Sequence, residues 1–220
     1  MRSFKPDSKG AFFLKAFLFL LIFVLAVNAL GFALEPAESF TRLMLHDLYA
    51  QKGGIGLALA GASHALYGFD TGVIDTALGV CSFNLGSASQ KAMDSYYLLK
   101  EMYRENQPQV VVIELTYAMY TTFSGYDNPM SSIILFDHYR LSANKLAYLG
   151  DAFSLSDYCN VFLKAYRYRD RFSEISDTLQ KKLSAGYLSY DPASPSYGDE
   201  RYMGKGFVSH MGGFQEGGLG

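Results

Sequence analysis

From Ala16 to Leu34 the chain runs 19 residues without a charge, and the apolar block as a whole covers residues 11 to 34. A helix rises about 1.5 Å per residue, so this stretch is long enough to cross the hydrocarbon core of a bilayer. Arg2, Lys5, Lys9 and Lys15 precede the charge-free run, and the first charges after it are Glu35 and Glu38. The positive-inside rule keeps residues 1–10 in the cytoplasm and sends everything after Leu34 across the membrane. The expected location is therefore the cell membrane, single-pass, with the rest of the chain extracytoplasmic. Two readings of residues 11–34 stay open, an uncleaved transmembrane anchor and a cleaved signal peptide. The small residues in "VNA" (27–29) and "GFA" (31–33) would suit a signal peptidase. The length of the run favours the anchor.

Beyond residue 35 the pattern alternates between helical and strand spacing. "ESFTRLMLHDLYAQ" (38–51) repeats apolar residues at helical intervals, with Ser39 or Thr41 as cap. "GIGLALAG" (54–61) and "GVCSFNLG" (79–86) read as short strands, and "SHALYGFDTGVIDTAL" between them as helix or turn. "SASQKAMDSYYLLKEMYREN" (87–106) reads as a helix capped by Ser87 or Ser89 and closed by Asn106 and Pro108. "QVVVIELTYAMY" (109–120) opens on a continuous Val/Ile run, the pattern of a strand covered on both faces. Strands separated by helices of this size pair in parallel. Residues 35–120 thus read as the first half of a three-layer α/β domain with a parallel sheet.

Residues 121–220 read as a helical and loop insertion. "IILFDHYRLSANKLAYLGDAF" and "LSDYCNVFLKAYRYRDRFSEISDTLQKKL" have helical spacing, and a Gly-, Ser-, Pro- and Tyr-rich remainder shows little periodicity. Three short strands leave a sheet edge unpaired, so the expectation is a domain incomplete at its C-terminus. The net charge of −2 comes with no basic stripe, which argues against nucleic acid as a partner. Cys81 and Cys159 match no metal spacing, and a disulfide and two separate thiols both stay open. Nothing in the sequence calls for a metal or a cofactor.

Candidate chemistry gathers where the strands end. Open parallel sheets place their reactive groups beyond the carboxyl ends of their strands. Ser63 lies just past the first strand, Asn84 and Gly86 end the second, and Glu114, Thr116 and Tyr117 follow the third. A serine nucleophile there needs a base and backbone N–H groups for the developing oxyanion. Gly61 and Gly86 allow the close backbone approach this requires. His64, adjacent to Ser63, reads as a pocket residue, as do Asn84 and Glu114.

The stretch from "LALAGASHALYGFD" through "FNLGSAS" to "VVVIELTY" resembles the N-terminal part of an SGNH-hydrolase-like domain. It is more narrowly similar to the membrane-anchored bacterial forms related to D-alanyl-lipoteichoic acid biosynthesis and alginate O-acetylation proteins. The resemblance implies a flavodoxin-like three-layer fold, Ser63 as the nucleophile of a Gly-x-Ser block, and Gly86 as an oxyanion donor. The family's Gly-x-Asn after the third strand is missing, and Thr116 is its nearest polar substitute. Its Asp-x-x-His pair is missing too: Asp137 directly precedes His138, and His210 has no Asp three residues before it. The expected function is a serine esterase or O-acyltransferase acting on a cell-envelope glycan or teichoic-type polymer, with this chain lacking the catalytic Asp and His. The alternative is a non-catalytic scaffold that binds such a polymer or partners a membrane acyltransferase.

Overall fold

A computed structural model describes residues 9–116, 129–192 and 198–210. The N-terminal apolar block forms one helix, α1 (Lys9–Leu34), long and apolar enough to cross a membrane. Its residues 12–26 are exposed on every side, and burial begins only at Gly31 and Leu34. Helix α2 (Phe40–Ala50) follows, capped by Ser39, whose Oγ accepts from the Arg42 N–H at 3.2 Å.

The centre is a mixed α/β body. Strand β1 (Leu57–Ala60) leads through α3 (Ser63–Gly68) and α4 (Thr71–Leu78) to β2 (Ser82–Asn84), and α5 (Ala92–Met102) leads to β3 (Val110–Ile113). The three strands form a parallel sheet in the order β2-β1-β3, with Leu57 paired to Ser82 on one side and Val110 on the other. All four residues of β1 are buried, as a central strand requires. Around it Leu43, Leu48, Phe83, Leu85, Tyr97 and Leu98 close the core.

Three expectations change here. Strand β3 is an edge strand, and Val110, Val112 and Ile113 are exposed; the Val/Ile run is not covered on both faces, because no element packs outside it among the described residues. Helix α5 begins at Ala92 with Lys91 as N-cap, not at Ser87 or Ser89. The Ser87 hydroxyl donates to Gln90 Oε1 at 2.8 Å and Ser89 adopts φ 53°, so the chain makes a turn before the helix starts. The third change concerns the glycine-rich remainder, which holds an antiparallel hairpin, β4 (Glu200–Gly204) and β5 (Phe207–His210). Its turn covers the outer edge of β2: the Asn84 N–H donates to the Lys205 carbonyl at 2.9 Å. Gly206, at φ 81°, is required there, since a Cβ would fall 1.6 Å from the Asn84 carbonyl oxygen.

The helical stretches resolve into α6 (Met130–His138), α7 (Ala143–Ala152), α8 (Tyr158–Phe162), α9 (Lys164–Arg167), α10 (Ile175–Lys182) and α11 (Ala185–Leu188). A buried polar cluster joins α5, α6 and α7. Asp94 accepts from the Tyr148 hydroxyl, from Ser132 Oγ at 3.0 Å and from the Lys91 N–H at 2.8 Å, and burial still pushes its carboxyl up. Helices α9 and α10 pack on the last turns of α1. Cys81 and Cys159 are both free thiols.

Candidate functional site

The rim of the sheet is assembled from small residues that let three loops meet. Gly86 lies directly against α3, where a Cβ would stand 2.6 Å from the Leu66 amide nitrogen. The Ser87 N–H donates to the Gly61 carbonyl at 3.3 Å, tying the loop after β2 to the loop after β1. Gly61 in turn lies against Glu114, whose Oε2 accepts from the Ala62 N–H at 3.1 Å. Ser63, partly exposed, opens α3 at this junction.

Glu114 also reaches His64. The Thr116 hydroxyl donates to Glu114 Oε1, so its oxygen is left to accept from His64 Nδ1, 3.2 Å away. His64 Nδ1 stands 3.6 Å from Glu114 Oε1. In this arrangement His64 Nδ1 is the donor to the Thr116 oxygen. A carboxylate, a hydroxyl and an imidazole thus line up between the loop after β3 and the first turn of α3. His210 at the end of β5 comes to the same helix. Its ring lies 4.5 Å from that of Tyr67, and its Nε2 is 3.8 Å from Glu200 Oε1. The Tyr67 hydroxyl donates to Glu200 at 2.9 Å, and burial followed by that carboxylate pushes it up to about 12.

The other two residues of the second loop are braces. Asn84 is fully buried; its Nδ2 donates to the Ala65 carbonyl at 2.7 Å and to the Phe69 carbonyl at 3.2 Å. Its Oδ1 accepts from the Gly86 N–H at 2.8 Å. Asn84 therefore holds α3 against β2 and does not line an open pocket, and the Gly86 amide is engaged in this state. Tyr117 lies outside the described residues.

A cavity of about 260 Å³ lies behind this rim, and Ser63 stands outside it. Its walls are the residues that follow α1, Glu35 to Arg42, with Leu66 and Tyr67 of α3, Gly86 to Ala88, and His138 of α6. Inside it Ser39 Oγ and His138 Nε2 are 3.3 Å apart. The direction of this contact is set by the tautomer of His138. Burial pushes that imidazole down to about 4, so it is neutral at physiological pH. The sequence signalled Ser39 only as a cap, and it placed His138 one residue from Asp137 with nothing to link it to position 39.

Among the described residues no group of three or more His, Cys, Asp or Glu could hold a metal ion. Compared with known proteins, the chain matches no family model, no curated protein sequence and no solved structure.

Proposed function

We propose that this protein is a membrane-tethered member of the three-layer serine-hydrolase-like class. In this reading it acts outside the cytoplasm on acyl esters of a cell-envelope glycan or teichoic-type polymer. The observation that supports the reading is the convergence of the three strand-end loops at Gly61 and Ala62, immediately before Ser63, with Glu114 spanning from the end of β3 to both Ala62 and, through Thr116, His64. In the reaction Ser63 Oγ adds to the ester carbonyl while its proton passes to an imidazole. The leaving alcohol then takes that proton and departs, and water or a sugar hydroxyl releases the acyl group from Ser63. In place of the expected Asp-x-x-His pair, the candidate imidazoles are His64, on α3 itself, and His210, against Tyr67 of α3, each beside a carboxylate. A partner acyltransferase in the same membrane would supply the acyl group for the transfer variant of this chemistry.

The non-catalytic scaffold is the second reading, and one observation favours it: Asn84 occupies the Gly86 N–H that an oxyanion would need. Losing one such donor typically costs about 3 kcal/mol of transition-state stabilisation. Labelling of the full chain in membranes with a fluorophosphonate separates the two. The esterase reading expects covalent label on Ser63, loss of label in Ser63→Ala, and at least a tenfold slowing in Glu114→Gln. His64→Gln and His210→Gln identify the base by which one removes the label. Absence of label on the folded wild-type chain would leave the scaffold.

A further inference from the structure

Part of the helical segment that packs around the end of α1 is built inside out, while the same segment turns Arg169, Asp170, Glu174, Asp177 and Lys181 outward. Arg167 and Lys182 are 5 % and 0 % exposed, while Phe162, Leu163, Tyr166 and Leu183, their near neighbours in sequence, are 56 %, 43 %, 47 % and 68 % exposed. A water-facing surface would show the reverse. The charges turn inward to specific partners. Lys182 Nζ donates to the Phe32 carbonyl at 2.7 Å and approaches Glu35 at 3.3 Å. Lys164 Nζ meets Glu35 at 2.6 Å, and Arg167 meets Asp137. Lys164 and Arg167 of α9 point to these carboxylates, and Leu163, just before the helix, and Tyr166 within it are left outside.

The position along α1 says what covers that apolar surface. With Lys15 at the inner boundary, a hydrocarbon core about 30 Å thick reaches about 20 residues further, to the level of Leu34 or Glu35. Yet α1 is free of packing only as far as residue 26. Its Gly31 already lies against α9, where a Cβ would stand 2.9 Å from the Lys164 Cβ. The elements around residues 27–34 therefore sit within the depth of the outer leaflet. We infer that the apolar edge of this segment, Phe162, Leu163, Tyr166 and Leu183, is a foot that rests in the outer leaflet of the bilayer around α1, with the outward-facing Arg169, Asp170, Glu174, Asp177 and Lys181 at the headgroup level. Lys164, Arg167 and Lys182 lie behind them, neutralised by Glu35 and Asp137. A continuous foot of this kind also makes the last turns of α1 part of the domain.

The test uses the full chain in phosphatidylcholine vesicles, in a Cys81→Ser, Cys159→Ser background. An environment-sensitive fluorophore is attached at Leu183→Cys or Phe162→Cys, and at Leu141→Cys as an aqueous reference, since Leu141 is 86 % exposed on the α6–α7 connection. The expected result is strong quenching of the 162 and 183 labels by lipid-borne spin labels, with at least fivefold weaker iodide quenching than at 141. Labels at 162 and 183 as open to iodide as the one at 141, and untouched by lipid quencher, would overturn the proposal. Because exposed positions carry the labels, folding is checked on the same samples by circular dichroism. A Leu163→Ser, Tyr166→Ser variant supplies a second readout: in the foot it shifts the 183 label toward water, and without a foot it leaves that label unchanged.

Discussion

The sheet rim and the collar around the end of α1 are held together by opposite means. At the rim, backbone meets backbone: Gly86 against Leu66, Ser87 N–H on Gly61, and one carboxylate, Glu114, bridging two loops. At the collar the contacts are long side chains with buried charges, where Glu35 faces both Lys164 and Lys182 and Asp137 also faces Lys164. Burial by itself would raise the Glu35 carboxyl, but the two ammonium groups outweigh it and hold it below its ordinary value. Burial lowers Lys182 despite the same partner. The rim thus depends on close backbone approach at its glycines and the collar on paired long side chains, so the two should fail differently when mutated.

The largest effect is expected at the collar. Glu35→Gln keeps the shape but leaves Lys182 buried against a neutral amide. Removing one partner of a buried pair typically costs about 3–5 kcal/mol, and denaturant unfolding in detergent should show a loss of that size. Lys182→Met, which removes charge and desolvation cost together, should cost much less in the wild type and should rescue most of the loss in Glu35→Gln. A loss under about 1 kcal/mol for Glu35→Gln would mean that water reaches the collar and that its charges are ordinary surface pairs.

The rim should respond to an added methyl group. Gly86→Ala places a Cβ 2.6 Å from the Leu66 backbone nitrogen, where no flexible side chain can give way. Overpacking of this kind costs about 1–3 kcal/mol. The specific expectation is that the loops after β1 and β2 move apart, so that Ser63 loses fluorophosphonate reactivity while the collar stays intact. Unchanged reactivity in Gly86→Ala would separate Ser63 from the second loop and confine the site to β1 and β3.

The same contrast explains what could be read before any coordinates. Strand-loop-helix units declare themselves within a dozen residues, so β1, β2, the Ser39 cap and the rim position of Ser63 were legible. The start of α5 was not, because the Ser87 hydroxyl turned to Gln90 and an αL turn at Ser89 delayed the helix. The β4–β5 hairpin was missed because Tyr202 is the only buried side chain on β4, too little for an alternation to show. The Val/Ile run of β3 was legible as a strand, but sequence says nothing about which strand becomes the edge. The collar was out of reach in principle. Its partners come from positions 35, 137, 164, 167 and 182, and each charge looks solvated until the fold brings them together.

His138 sits between the two regions, within the cavity that runs from the collar to Gly86, and its titration shows which one it belongs to. Burial, which outweighs the opposing pull of Glu35, holds its folded value near 4, against about 6.5 in an unfolded chain. A depressed value means the unfolded state binds the proton more tightly. Stability from this group is thus complete above about pH 6.5 and is lost as the pH falls toward 4. Glu35, Asp137, Arg42, Lys145 and Lys164 act on the same ring or its neighbours, so the informative quantity is the difference between wild type and His138→Gln. Allowing for the ring's partial exposure, the wild type should lose about 1–2 kcal/mol more than the variant between pH 7 and pH 4.5, measured by denaturant unfolding at each pH. The opposite sign, with the wild type gaining on the variant as the pH falls, would mean that the imidazole is charged in the fold and pairs with Glu35. His138 would then be a member of the collar.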